Sequence, residues 1–363
     1  MHIAAPGRPG FRLQGKPEHQ IASFILVLKS TWEVIAKRYR VSPDWPWDFE
    51  ISMRIMRGLS EMAFRQTDIQ TAREIQDSLV FDPPTPISLD FSPSAPGEPK
   101  SHWYNSAAAI DGRMLLYFHG GGYAFYTAGI RGLMAYVADA CRSRMLALDY
   151  RLTPEHRYPA QLDDAVAAYR WLLDRGTSPS EMIVAGDSAG GHLLLTTLQR
   201  LRDLGLPQPA LGIGICPWTD IGNRGDSLFE NDRYDWVQGH MALKFGDWFS
   251  DGRDDARSAL SPIYHSLTGL APLYLLTGGR EILHDMIVDF AAEAVRQGAE
   301  VTLDDWPHMT HDFPAFGKSI PDSAEALSRI SAAADHYLSP DASKRSLAAC
   351  PRTVHQWTRN LDS

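Results

Sequence analysis

Hydrophobic spacing divides the chain at about residue 83. Before that point, apolar residues recur at helical intervals. Ile21, Phe24, Ile25, Leu28, Trp32 and Ile35 predict an amphipathic helix from Pro17 to about Arg40. Ser42-Pro43-Asp44-Trp45-Pro46-Trp47 interrupts it, and helical spacing resumes from about Phe49 to Leu59 and again to about Asp77. Residues 1–16 carry Pro, Gly and Arg without a period and predict a loose N-terminus. Beyond Pro83-Pro84 the rhythm changes. Short strands are expected at Ile87–Phe91 and His102–Ser106, and then apolar runs alternate with helical stretches. The runs lie at Met114–Phe118, Met145–Asp149, Met182–Ala185, Leu211–Cys216, Leu273–Thr277 and Glu300–Asp304. Helices are expected at about 130–141, 160–174, 189–204, 285–297 and 322–337. Such alternation calls for a mainly parallel sheet covered on both faces by helices.

This pattern sorts the chain into an N-terminal helical segment (1–82), an α/β unit (83–338) and a tail (339–363) of mixed charge and no clear core face. An insert at about 218–260, rich in Trp, Phe and Asp, breaks the alternation and is expected above the carboxyl edge of the sheet.

Composition narrows the function. The 363 residues carry 35 basic and 44 acidic side chains, a net charge of −9, which is the wrong sign for tracking nucleic-acid phosphates. Three cysteines without a C-x-x-C spacing argue against a disulfide framework and against a zinc site. No asparagine lies in an N-x-[ST] sequon. The early apolar run Ile21–Leu28 is too short to span a bilayer and lacks signal-peptide flanks. A cytoplasmic protein without an integral membrane segment is therefore expected.

Gly186-Asp187-Ser188-Ala189-Gly190 follows an apolar run and opens a helical one. A strained strand-to-helix turn needs small neighbours, because the chain passes close to itself, and the helix directs its positive end at the serine. Without that context the same letters would describe a Gly-rich turn with a serine N-cap. His119-Gly120-Gly121-Gly122 follows the run Met114–Phe118. Its glycines let backbone N–H groups approach a ligand, so Gly120, Gly121 and Ala189 are the expected oxyanion donors, each worth about 3–4 kcal/mol in a transition state. His119 is expected to hold this loop by hydrogen bonds. Asp187 is expected to turn into local backbone bonds. Serine needs a histidine base and an orienting carboxylate. Among the late histidines, His308 and His311 both follow the run Glu300–Asp304.

HGGG, GDSAGG and the intervening Asp149–Ala160 stretch together resemble the hormone-sensitive-lipase-like branch of the α/β-hydrolases, over about residues 85–338. The resemblance implies an α/β-hydrolase fold with an eight-stranded sheet and a helical cap built partly from the N-terminus. It also implies a serine carboxylesterase that needs no cofactor or metal. The family places the acid and then the histidine after the serine, and its P-x-M-x-H-x-F pattern selects His311 as base. Its D-x-L-x-D pattern places the acid at Glu281, a departure from the usual aspartate, and leaves Asp285 to the first turn of the next helix. Tyr123, Phe125 and Trp218 are the expected substrate contacts, with Tyr126, Phe229, Trp236, Trp248 and Phe249 in neighbouring loops. Without a basic cluster, the expected substrate is an uncharged small-molecule ester. Acyl transfer, amide hydrolysis or dehydration are alternatives on the same fold, and a non-catalytic receptor is a further one. The resemblance also allows a homodimer, for which nothing in the sequence fixes an interface.

Overall fold

The computed structural model describes residues 2–3, 10–82, 89–253 and 256–338. In chain order the elements begin with β1 (His2–Ile3), β2 (Gly10–Leu13), α1 (Pro17–Ile35), α2 (Trp47–Phe64), α3 (Ile69–Gln76) and β3 (Leu79–Asp82). Then come β4 (Leu89–Pro93), β5 (Ser101–Ser106), β6 (Met114–Phe118), α4 (Ala128–Ala140), β7 (Arg144–Leu148), α5 (Ala160–Asp174), β8 (Met182–Asp187), α6 (Ser188–Asp203) and β9 (Leu211–Ile215). The insert supplies α7 (Ser227–Glu230), α8 (Gly239–Ser250) and α9 (Arg257–Leu260), and the chain continues through β10 (Leu273–Gly278), α10 (His284–Arg296), β11 (Val301–Trp306) and α11 (Pro321–Leu338).

The eight-stranded sheet has the order β11-β10-β9-β8-β6-β7-β5-β4. Strands β6 to β11 pair in parallel, while β5 runs antiparallel to β7 and β4 to β5. Helices cover both faces, so alternate side chains of a central strand enter two different cores. Leu116 and Phe118 of β6 join Leu146, Leu148 and Val184 on one face. Leu115 and Tyr117 join Met145, Ala147, Ile183 and Ala185 on the other. Burial on both sides is why these strands read as continuous apolar runs rather than as alternating patterns. Because β6, β8, β10 and β11 are parallel, the loops that leave their carboxyl ends all emerge at one edge.

The N-terminal segment departs from its sequence pattern. The stretch expected to be loose contains β2, which pairs antiparallel with β1 and β3 in a separate three-stranded sheet. Four-residue strands such as GFRL carry too little periodicity to be seen alone, and their pairing defines them. α1 ends at Ile35, short of the expected Arg40, and α2 runs on to Phe64. The expected strand Ile87–Phe91 is found as Leu89–Pro93, and its first two residues lie outside the described ones, as does the tail 339–363. Arg73 of α3 ties this segment to the sheet body. Its Nε donates to the Ala124 carbonyl (2.8 Å), Nη2 to the Thr153 carbonyl (3.0 Å) and Nη1 to Glu155 (2.6 Å).

Candidate active site

Ser188 opens α6 directly from β8 with φ of 52°, the left-handed region that a non-glycine residue rarely adopts. The surrounding glycines are required by contact. A Cβ on Gly190 would lie 2.0 Å from the Phe118 carbonyl oxygen, and one on Gly186 would lie 2.3 Å from the Gly190 carbonyl oxygen. The turn therefore lifts Ser188 above the sheet edge, where it lines an apolar cavity of about 150 Å³. In the first turn of α6 the N–H of Ala189 has no acceptor four residues back within the helix.

The His119–Gly122 loop lies beside this turn. His119 is stacked between Tyr126 (centroids 4.2 Å) and Tyr150 (4.2 Å), and its Nδ1 bonds to the Gly120 carbonyl at 2.7 Å. Burial lowers its pKa to about 4, so the ring is neutral and acts as a wedge. Asp187 corrects one expectation. Beyond a bond to its own backbone N–H, its carboxylate reaches across to the neighbouring strand and the loop after it, accepting from Tyr117 Oη at 2.7 Å and from the Gly120 N–H at 2.9 Å. The Gly120 amide is thus already engaged and is not a free oxyanion donor. Gly121 and Gly122, at φ of 97° and 60°, line the cavity, and their N–H groups have no acceptor among the described residues.

The late histidine and acid meet at the same edge. His311 Nδ1 bonds Glu281 Oε2 at 2.7 Å, with both side chains buried. The other oxygen of Glu281 accepts from Thr277 Oγ1 (2.7 Å) and the Gly278 N–H (2.8 Å), so the carboxylate cannot rotate freely. The longer glutamate reaches this position from the first turn of the loop after β10. His308 is 59% exposed and faces Asp44, while Asp285 accepts from the Ser227 N–H at 3.0 Å. Neither joins the His311 cluster.

Asp312 was not anticipated as a functional group. It holds φ of 52°, lines the cavity and presents Oδ2 3.4 Å from His311 Nε2. Its N–H donates to the buried Cys216 thiol at 3.3 Å, and its Oδ1 has no partner among the described residues. Burial raises the Asp312 pKa well above the ordinary carboxyl range. For His311, burial favours the neutral ring, but the charges of Asp312, Glu281 and Asp235 outweigh it and push the pKa up to about 10. Asp312 and His311 therefore titrate as a pair, and Nε2 can accept a proton only while the ring is neutral. In this conformation no hydrogen bond joins Ser188 to His311, although both line the cavity.

Of the expected substrate contacts, Phe125 and Trp218 line the cavity and Tyr123 does not. Tyr123 is fully buried, bonds His192 Nδ1 at 2.6 Å and stacks on Phe249 at 4.3 Å, so it braces the loop from behind. Phe229 is 52% exposed, whereas Trp236 lines the cavity and donates Nε1–H to the His311 carbonyl at 2.9 Å. Tyr126 and Trp248 are not on the wall. Sequence reading missed Phe245 and Met241 of α8 and Met56, Leu59 and Phe64 of α2, all on the wall. Met56, Leu59 and Phe64 read as ordinary helix positions, and Met241 and Phe245 lie in the insert, where no element was expected. Cys216, Glu281 and His311 place potential ligand atoms within 4.8 Å of one another, but the Glu281–His311 bond already occupies two of them and burial keeps the thiol protonated.

Known proteins place this architecture. The sequence model of the alpha/beta hydrolase fold family matches residues 115–315. An acetyl-hydrolase of Streptomyces hygroscopicus is 37% identical over 233 residues, 64% of this chain and 78% of that protein. The carboxylesterase/phospholipase LipF of Mycobacterium tuberculosis is 32% identical over 68% of this chain and 70% of its own length. Among solved structures, EstE5 soaked with p-nitrophenyl butyrate superposes with a TM-score of 0.70 at 30% identity, covering 89% of this chain and 99% of that one. An esterase of the bacterial hormone-sensitive lipase family superposes with a TM-score of 0.67 at 27% identity, covering 90% of this chain and 100% of that one. The chain belongs to the hormone-sensitive-lipase-like α/β-hydrolases and is a carboxylic ester hydrolase.

Proposed function

We propose that the protein cleaves esters of small uncharged acids through an acyl-enzyme on Ser188, with His311 as base and Glu281 orienting the imidazole. The observation that carries this reading is the buried 2.7 Å bond between Glu281 and His311 at the wall of the cavity that Ser188 also lines. As Ser188 Oγ attacks the ester carbonyl, His311 Nε2 takes its proton. The carbonyl π electrons move onto oxygen and are received by the unengaged N–H groups of Gly121, Gly122 and Ala189. Collapse of the tetrahedral intermediate breaks the acyl–oxygen bond, and His311 returns the proton to the departing alkoxide. Water, deprotonated by the same nitrogen, then releases the acid and restores Ser188. Ser188 and His311 share the cavity wall, and nucleophile–base contacts of this kind tighten when substrate arrives.

A cavity of about 150 Å³ suits an acyl group of benzene size or smaller. Its wall is almost entirely apolar, with Phe125, Phe245, Leu133 and Trp218 among its residues, so a charged acyl chain would lose hydration without gaining a partner. Residues 10–82 and the insert 218–260 act together as the cap in this reading, since α2 and α8 share the wall. The test is hydrolysis of p-nitrophenyl esters from acetate to octanoate. We expect short chains to be preferred and Ser188→Ala to lose about 10⁶-fold in kcat. Retention of turnover by Ser188→Ala would remove the nucleophile from the mechanism.

A further inference from the structure

Helix α1 is built inside out. It turns Ser23, Val27, Ser30 and Val34 toward the body and leaves Ile21, Ile25, Leu28, Trp32 and Ile35 between 55% and 63% exposed. These five residues follow the i, i+4, i+7, i+11, i+14 spacing of one helical stripe, about 21 Å long. The rotation of the helix is held by specific contacts. Ser23 Oγ bonds Ser78 Oγ at 2.6 Å, Val27 packs with Ile55, Leu59 and Leu79, and Leu26 lies so close to Gly58 that a Cβ there would be 2.5 Å away. A continuous apolar stripe of this length on a protein surface is a binding face.

Charge decides what the face meets. From Lys16 to Arg40 there are five basic and two acidic residues, within a chain whose net charge is −9. Among the described residues, Lys29, Lys37 and Arg38 are exposed and make no ion pair. Tyr39 (61% exposed) follows in the connection to α2 and Trp47 (44%) opens α2, and Arg40 lies 5.1 Å over the Trp47 ring. A two-fold dimer through the stripe would press these cations against their own copies. An anionic lipid surface would accept the apolar stripe in its acyl boundary and the cations among its headgroups, with tryptophan and tyrosine at the level they favour.

We infer that α1 docks the protein onto an anionic lipid surface, lying in the plane of the interface with Ile21, Ile25, Leu28, Trp32 and Ile35 inserted. The attachment is peripheral, since no helix among the described residues is long and apolar enough to cross a membrane. α1 packs on α2, which contributes Met56, Leu59 and Phe64 to the cavity wall, so docking sets that wall next to the lipid. The docking is independent of the roles proposed for Ser188, Glu281 and His311.

The test is flotation of the full chain with vesicles of equimolar phosphatidylcholine and phosphatidylglycerol, and with phosphatidylcholine alone. Wild type should float with the anionic vesicles, and high salt should weaken its partition. The double variant Ile25→Ser/Trp32→Ser should lose at least about tenfold in partition. Lys29→Glu/Lys37→Glu/Arg38→Glu should float no better with anionic vesicles than with neutral ones. Both should keep wild-type turnover of p-nitrophenyl acetate, which reports an intact fold. A chain ending at Leu338 should still bind. The inference is overturned if wild type floats with neither vesicle, or if the double variant floats as well as wild type. It is equally overturned if sedimentation shows a dimer that the double variant dissociates, because a second copy then occupies the stripe.

Discussion

Helices α1 and α6 are both predicted by apolar residues at three- and four-residue intervals, yet they end in opposite surroundings. α6 buries 11 of its 16 residues, whereas α1 buries 4 of its 19. The difference lies in the number of neighbours. α6 crosses between parallel strands β8 and β9, packs on α5 and begins at the strained turn of Ser188, so every rotation but one is excluded. α1 has chiefly α2 beside it, and a close Leu26–Gly58 approach together with a serine–serine bond suffice to orient it. Hydrophobic period tells where a helix forms. It does not tell which side meets the protein.

If the α6 end is the region of dense constraint and α1 the region of loose constraint, the effects of substitution should fall off from one to the other. After loss of Ser188 itself, the largest should follow loss of the carboxylate beneath His311. Glu281→Gln should lower kcat about 10⁴-fold, as expected when an imidazole loses its orienting acid, while Asp285→Asn stays within about threefold of wild type. The reverse ranking in ester hydrolysis would relocate the acid. Gly120→Ala comes next. Its Cβ would lie 2.1 Å from Asp187 Oδ2 and 3.1 Å from Ser188 Cβ, so the loop must shift and displace the neighbouring amides. A loss of about 10²–10³ in kcat is expected, and unchanged kinetics would show that the loop does not position the oxyanion donors.

Within the helices, Leu194→Ala, at a fully buried position of α6, should cost about 2–5 kcal/mol in urea unfolding. Ile25→Ser, on the exposed face of α1, should stay within about 0.5 kcal/mol. Equal losses at the two positions would erase the contrast. The smallest and most specific effect is expected at Asp312. Its carboxylate, together with Glu281 and Asp235, holds the His311 pKa up at about 10, and in the proposed mechanism His311 acts as base only when Nε2 carries no proton. Asp312→Asn removes one of those negative charges, so His311 should lose its proton at a lower pH and the acid limb of kcat/KM should move down. The charges that remain facing the ring are Glu281, Asp235 and Asp187. An acid limb that stays in place or moves upward would remove Asp312 from the proton balance of the site.

Much of the candidate site was legible because its residues are tied to local backbone needs. Gly186 and Gly190 are required by carbonyl contacts near 2 Å, and the strand-to-helix turn they permit is written in five consecutive letters. Glu281 and His311 could be chosen from their order along the chain and their motifs. Asp312 was hidden because a carboxylate after a histidine has no signature of its own. Only the left-handed conformation at φ of 52° brings it back to Nε2. Gly120 looked like an oxyanion donor because nothing in its neighbourhood of the chain reveals that Asp187, 67 residues away, takes its N–H. Tyr123 looked like a pocket residue because it follows the glycine loop, but the loop turns its ring back onto Phe249.

The sequence alone determined the alternation of strands and helices in the α/β unit outside its insert, the parallel sheet and the bend that carries Ser188, since each depends on period and on residues within a few positions of one another. Only the tertiary structure decided which amides stay unbonded, which carboxylate reaches the second nitrogen of His311, and that the apolar stripe of α1 faces outward. Those outcomes depend on contacts between residues distant along the chain, and such contacts leave no local pattern to read.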